Sequence, residues 1–124
     1  MDDLRLSHEH LPGDVTHVIA EGELDVFTHP LFREFSTELI ILGHVWQLVD
    51  LTGVDFMDTS GVAVLHGAHK RASAHGGAVA VVCHEDGPGK PLRVIRLSRW
   101  GPTHETVERA LEVLARARSE FEAG

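Results

Sequence analysis

The sequence predicts an α/β fold built on one mixed sheet. Short apolar segments with strand-like spacing alternate with longer segments of helical periodicity, in the order strand, strand, helix, strand, helix, strand, weak element, helix. Neighbouring parallel strands need crossover helices, and this order supplies them. The chain has 124 residues, of which 43% are hydrophobic and 24% charged. One domain spanning residues 1–124 is therefore expected.

The first two strands are predicted to form a hairpin. "LRLSHEH" (4–10) alternates apolar and polar residues, and the Pro–Gly pair of "LPGD" (11–14) is typical of a turn. "VTHVIAEGELD" (15–25) is the second strand. Gly22 within it indicates a bulge.

A helix is predicted next, with Thr28 as its cap and Pro30 in its first turn, where proline is tolerated. Gly43 ends it. Apolar residues recur at steps of three and four and predict one apolar face, made of Leu31, Phe32, Phe35, Leu39 and Leu42.

The middle of the chain predicts two buried strands around a second helix. "VWQLVDL" (45–51) is short and mostly apolar, as expected of a central strand covered on both faces, with Trp46 in the core. Residues 52–58 are predicted to be a loop. A helix follows from about Ser60 to His75. "AVAVVC" (78–83) is the next strand.

The last third of the chain is less regular. Residues 85–90 have loop composition, and residues 91–100 fit neither helical nor strand periodicity. A final helix is predicted with Thr103 as a plausible cap. Its apolar residues keep helical spacing, at Val107, Ala110, Leu111, Leu114, Ala117 and Phe121.

Charge and cysteine content limit the partners and the cellular location that are expected. The net charge is −8 with histidine neutral, which argues against binding nucleic acid backbones or anionic membranes. Proteins or small molecules are the expected partners. The single Cys83 cannot form an internal disulfide, and the N-terminus is polar and acidic, so a cytoplasmic protein is expected.

The stretch "VDFMDTSGVAVL" (54–65) places a carboxylate, two hydroxyls and a glycine between two apolar segments. Ser60 falls where a strand and its loop end and a helix begins. In open α/β sheets functional groups gather there, and the helix start offers free N–H groups and partial positive charge. Asp58 or Ser60 could equally serve only as the N-cap.

The segment "LVDLTGVDFMDTSGVAVLHGAHKRASAHGGAVAVV" resembles the core of the STAS family, the anti-sigma factor antagonists. Upstream, "AEGELDVFTHPLFREFSTEL" resembles the family's Gly-x-Leu/Ile-Asp motif and the helix after it. The resemblance implies a mixed four- to five-stranded sheet with helices packed mainly on one face. It also implies a phosphorylatable serine at Ser60, with Thr59 as the alternative acceptor. Asp25, Asp50, Asp58, Thr59 and Gly61 fall on other motif positions, and all of these but Asp50 are expected, with Ser60, to bind the partner.

The resemblance further implies a regulatory binding protein without enzymatic activity or cofactor. The unphosphorylated form would bind an anti-sigma factor that is also a serine kinase, and a sigma factor would be released. Phosphorylation of Ser60 would end the complex, and a serine phosphatase would reset it. The alternative within the same fold is a subunit of a stress-signalling scaffold or lipid-transport assembly. A small hydrolase using Ser60 is a third reading, but the chain lacks G-x-S-x-G and an evident base.

Two further patterns have a simpler interpretation. His8 and His10 would share a strand face, and His66 and His69 neighbour each other on a helix, but neither pair has a third metal ligand at a telling spacing. A histidine-rich surface is therefore favoured over a metal site. A basic stripe is predicted to be a solvated face or, alternatively, a contact for an acidic partner; it comprises Lys90, Arg93, Arg96 and Arg99.

Overall fold

The computed structural model describes residues 3–84 and 103–123. Within them a four-stranded sheet has the order β1–β2–β3–β4, with β1 antiparallel to β2 and the other neighbours parallel. The predicted mixed α/β sheet is confirmed. The predicted loop 85–90, the weak element 91–100 and the basic stripe lie outside the described residues. The elements are β1 (Leu4–Leu11), β2 (Val15–Leu24), α1 (His29–Ile41), β3 (Trp46–Met57), α2 (Thr59–Ala74), β4 (Ala78–Val82) and α3 (Val107–Ala123).

Alternating strand residues divide the core into two layers. On one face α1 and α2 cover Val18, Val49 and Val81. On the other face α3 packs on Trp46 and Leu48, so Trp46 is a core residue as expected. Two of the three described helices thus share a face, and the central strand β3 is buried on both sides.

The hairpin is confirmed, but the predicted bulge falls in β3, where Asp55 is an extra residue opposite Gly22 and Glu23 of β2. β1 pairs with β2 along its whole length, from Leu4 opposite Gly22 to Leu11 opposite Val15. The register with β3 shifts between Gly22 and Glu23. Gly22 has a positive φ of 108°, and a Cβ there would overlap the carbonyl oxygen of Asp3. Only glycine fits this close approach.

The predicted apolar face of α1 is partly wrong. Phe32 and Leu39 are buried, but Leu31 and Leu42 are 51% and 69% exposed. The helix turns Ser36 and Ile40 towards the sheet instead. Leu31 and Leu42 share a row with Phe35 at helical spacing, and this row lies on the flank of the helix rather than beneath it.

A buried polar pair joins α1 to β3. Gln47 is fully buried, and its side-chain oxygen accepts a 2.8 Å hydrogen bond from the hydroxyl of Ser36. Its amide nitrogen donates to the carbonyl oxygens of His44 and Ser36. The amide is thereby satisfied inside the core.

The prediction of a loop over residues 52–58 is wrong for most of that range, because β3 continues to Met57. The strand is held there by pairing with the end of β2, from Glu21 opposite Gly53 to Leu24 opposite Met57. Polar Thr52 and Asp55 suggested a loop, yet they are exposed strand residues at the two points where the register of β3 against β2 shifts.

Acidification is expected to destabilise the contact between α2 and β4. The amide of Val79 donates a 3.1 Å hydrogen bond to Nδ1 of His69, which requires that nitrogen to be unprotonated. Burial lowers the pKa of His69, and the neighbouring His66 lowers it further. The stability from this histidine is fully present above its unfolded pKa of about 6.5. It is lost as the pH falls through the lower folded pKa.

The measurement is urea denaturation of wild type and His69→Gln at about pH 7.5 and about pH 5.5. Glutamine can still accept the Val79 bond but does not titrate, so the variant should lose less stability on acidification. The pKa of His104 is also lowered, by burial and by Arg109. This histidine is present in both proteins, so its effect on the free energy of unfolding cancels in the comparison. Equal losses in the two proteins would contradict the prediction.

Candidate functional site

Two strand-to-helix turns lie side by side at the carboxyl ends of the parallel strands β2 and β3. Leu24, the last residue of β2, lies opposite Met57, the last residue of β3. Because these strands are parallel and adjacent, the turns that follow them start side by side. The first turn begins at Asp25, and the second consists of Asp58 before α2. The sequence motifs around Asp25 and Ser60 are therefore brought together.

Asp25 organises the first turn from within. Its Oδ1 accepts hydrogen bonds from the amides of Phe27 and Thr28, at 3.0 and 3.1 Å, and its side chain is almost entirely buried. Thr28 stands at the N-cap position of α1 but makes no capping bond. Its hydroxyl instead accepts from the amide of Asp25 and donates to the carbonyl of Glu23. Asp25 thus shapes the turn and presents Val26 and Phe27.

Asp58 holds the two turns together. It is the N-cap of α2, and its Oδ1 accepts hydrogen bonds from the amides of Ser60 and Gly61, at 2.9 and 3.2 Å. Its Oδ2 accepts from the amide of Val26 at 3.2 Å. The capping role therefore belongs to Asp58, which leaves Ser60 free of it.

Gly61 lets the helix approach the strand ends. It is buried, and a Cβ at this position would lie 2.5 Å from the carbonyl oxygen of Leu24 and 2.7 Å from Cγ of Met57. A real Cβ does not tolerate such distances. The glycine is needed because the first turn of α2 packs directly on both strands.

Ser60 is half-buried and Thr59 is exposed in the first turn of α2. Among the described residues, neither hydroxyl forms a hydrogen bond, and the Ser60 amide is bound by Asp58. The partial positive charge of the helix start lies at this hydroxyl. Ser60 therefore lies at the surface, and no other residue in the described part of the chain binds its hydroxyl.

Exposed apolar side chains border this site, and the sequence reasoning missed them. Val26 and Phe27, in the turn bound by Asp58, are 54% and 85% exposed, although side chains of this kind are usually buried. The sequence signal for them was the Val–Phe pair, which lies between a strand and a helix and fits neither the strand nor the helix periodicity. We name these two residues, together with Thr59 and Ser60, the seam surface.

Asp50 lies apart from the seam surface. Its carboxylate accepts hydrogen bonds from the hydroxyl and amide of Thr52 and from Nε2 of His17, which also contacts Glu9. Burial raises the pKa of Asp50, but these hydrogen bonds outweigh it and the net pKa is lowered. Asp50 links strands on the α3 face of the sheet, so its motif position is structural.

The described residues contain no group of three or more histidine, cysteine or acidic side chains that could hold a metal ion. The rings of His8 and His10 are 5.6 Å apart, and His10 lies 4.8 Å from His44. Cys83 is buried. None of the helices over residues 3–84 and 103–123 has the length and apolar character needed to cross a membrane.

Two substitutions of Asp58 are expected to show how much its capping of α2 contributes to the free energy of unfolding. Asp58→Ala removes the cap and the bond to Val26 and should lower the free energy of unfolding by about 1 kcal/mol or somewhat more. Asp58→Asn retains one carbonyl oxygen that can cap α2, so its loss should be smaller. The free energies of unfolding are measured by urea denaturation. Equal losses in both variants would show that capping is not the main contribution.

Comparison with known proteins identifies the fold. A family model described as STAS domain matches residues 9–110. No curated protein matches the chain by sequence.

Three solved structures superpose on this chain over most of their length. An anti-sigma factor antagonist from Mycobacterium paratuberculosis has a TM-score of 0.80 and 21% identity, with 91% of this chain and 95% of that chain covered. A putative anti-sigma factor antagonist from Thermotoga maritima has a TM-score of 0.78 and 22% identity, covering 89% and 94%. Bacillus SpoIIAA in its phosphorylated form has a TM-score of 0.66 and 22% identity, covering 87% and 97%. These TM-scores show a shared fold.

Proposed function

The chain belongs to the STAS-domain family, and from this membership we propose that it is an anti-sigma factor antagonist switched by phosphorylation of Ser60. It acts by binding and not by catalysis. The observation that carries the proposal is a half-buried serine at a helix start whose hydroxyl forms no hydrogen bond to other described residues, beside the exposed apolar side chains Val26 and Phe27. Structural neighbours described as anti-sigma factor antagonists support the same role.

The seam surface has the composition of a protein-binding surface. Aromatic side chains are enriched at interfaces, and Phe27 is almost fully available to a partner. The Asp58 bonds to Val26 and to the amides of Ser60 and Gly61 fix the apolar turn beside the hydroxyl. A partner that covers Val26 and Phe27 also covers Ser60.

Phosphorylation of Ser60 would oppose such a complex. A phosphate adds a charge of roughly −1.5 to −2 and three acceptor oxygens. Beneath a partner, this charge would lose its hydration while lying close to the carboxylate of Asp58. Moving a complex from almost fully bound to almost fully free requires about 5.5 kcal/mol of differential affinity. A covered dianion next to a carboxylate can supply a penalty of that size.

The fold itself would tolerate the modification. The Ser60 hydroxyl forms no hydrogen bond to other described residues, so a phosphate there breaks no such bond. The start of α2 also favours negative charge. The result is a modification that weakens the complex and leaves the domain folded, which is what a reversible switch requires.

The partner in this proposal is an anti-sigma factor that is also a serine-protein kinase. It binds the unphosphorylated chain and releases its sigma factor. It then transfers the γ-phosphoryl group of ATP to Ser60, which forms the phosphoserine ester and leaves ADP. A serine phosphatase hydrolyses that ester and returns the chain to its binding form.

The test is a phosphosite map after incubation with the cognate anti-sigma kinase and ATP. Wild type and Thr59→Val should carry one phosphate on Ser60, and Ser60→Ala should carry none. Phosphorylation of Thr59 instead would shift the acceptor by one residue. Modification only at residues outside this pair would refute the proposed switch.

A further inference from the structure

A second surface lies between α1 and the edge strand β1. Six residues line a groove of about 250 Å³, which we name the edge groove: Leu4, Leu6, Leu31, Glu34, Phe35 and Glu38. It shares no residue with the seam surface and does not depend on the function of Ser60.

The edge groove runs beside an open strand edge. β1 pairs with β2 on one side only, and no strand within residues 3–84 or 103–123 pairs with its other side. β1 is eight residues long and has no register shift against β2. Long regular edges can add a further strand unless a protein blocks them with proline, bulges or inward-pointing charge. β1 has no proline and no bulge.

The groove has an apolar floor and an acidic rim. Leu4 and Leu6 are half-buried on the face of β1 that points to α1, while Leu31 is 51% exposed on the helix flank. Glu34 and Glu38 are exposed and stand one helical turn apart. Neither carboxylate forms an ion pair with another described residue, although Arg5 on β1 pairs with Glu21.

We propose that β1 and the edge groove bind an extended basic segment of a partner protein as an additional strand. Strand addition satisfies the open backbone edge, and side chains at every second position face the groove, where apolar ones contact its floor. Lysine or arginine on the same face of the segment lays its apolar stem over Leu31 and Phe35 and reaches Glu34 and Glu38 with its charged end. The acidic rim selects this basic partner over a second copy of the chain, whose own groove has the same two carboxylates.

The experiment titrates a nine-residue peptide, Val-Thr-Lys-Thr-Val-Thr-Lys-Thr-Val, into the ¹⁵N-labelled full chain. One strand face of the peptide alternates valine and lysine. Shifts of amide resonances are expected along β1 and over the α1 segment from Leu31 to Glu38, with slower hydrogen exchange in β1. The matched control peptide replaces both lysines with glutamate and should bind about tenfold more weakly.

Charge reversal in the protein makes the test reciprocal. The double variant Glu34→Lys/Glu38→Lys should lose about tenfold in affinity for the lysine peptide and gain affinity for the glutamate peptide. A control with the same change in net charge on α3, Glu108→Lys/Glu120→Lys, should bind the lysine peptide almost as wild type does. Equal loss in both variants would reduce the effect to net charge and overturn the proposed site.

Two other results would also overturn it. Shifts confined to residues away from β1 would place the peptide elsewhere. Sedimentation that shows a dimer dissociated by the peptide would assign the strand edge to a second copy of this chain.

Discussion

Replacing Ser60 by aspartate is expected to weaken binding to the cognate anti-sigma factor about 100-fold, or roughly 2.7 kcal/mol. The new carboxylate would be covered together with Val26 and Phe27, and Asp58 lies directly beside it. An uncompensated charge buried in an interface costs several kcal/mol. Aspartate carries less charge than phosphate, so the effect should be smaller than that of the phosphorylated protein. Isothermal titration calorimetry of wild type and variant measures the difference.

The stability of the same variant should change little, by within about 0.5 kcal/mol. Ser60 has an uncommitted hydroxyl among the described residues, and the helix start favours an acid. Ser119→Asp is the matched control, because it adds the same charge at an exposed position of α3, on the other face of the sheet. Its affinity should stay close to that of wild type. If Ser60→Asp bound as tightly as Ser119→Asp, the charge mechanism would be wrong.

Replacing Gly61 by alanine is expected to destabilise the fold by about 1–3 kcal/mol. The added methyl group would lie 2.5 Å from the carbonyl oxygen of Leu24, which belongs to a paired strand and cannot move aside easily. Its second obstacle is the side chain of Met57 at 2.7 Å. The helix must shift away from the strand ends, and Ser60 shifts with it. Affinity for the anti-sigma factor should therefore fall as well.

A second glycine of the same helix provides the control. A Cβ at Gly67 would meet only the guanidinium of Arg71, whose nearest nitrogen is 3.4 Å away on a flexible side chain. Gly67→Ala should be neutral or stabilising by up to about 1 kcal/mol, because alanine favours helix. Both variants are compared by urea denaturation. Similar effects of the two substitutions would show that helix propensity, and not the close contact at Gly61, determines the result.

The sequence predicted the elements of the sheet better than their limits. The hairpin and the central strand followed from apolar alternation and turn residues. The continuation of β3 to Met57 did not, because it depends on pairing with the end of β2, and local composition does not contain that contact. The flank position of Leu31 was also missed. Helical periodicity shows which residues share a face, but not how far the sheet beneath them extends.

Sequence reasoning named only the polar residues of the candidate site. The motifs placed Asp25, Asp58, Ser60 and Gly61 near each other, and the structure does so through the parallel register of β2 and β3. The separate roles of these residues could be assigned only from the structure, since either Asp58 or Ser60 satisfies the capping pattern. The apolar border of the site could not be derived from periodicity, because Val26 and Phe27 lie in a turn that belongs to neither pattern.

The buried amide of Gln47 has a consequence for folding accuracy. Its two bonds to Ser36 can form only when α1 and β3 have one relative alignment. Sliding the helix by a turn would leave a polar amide unsolvated and unmatched, whereas an all-aliphatic contact would penalise the slip much less. A single glutamine at the start of β3 thus discourages misaligned packings that hydrophobic side chains alone would permit.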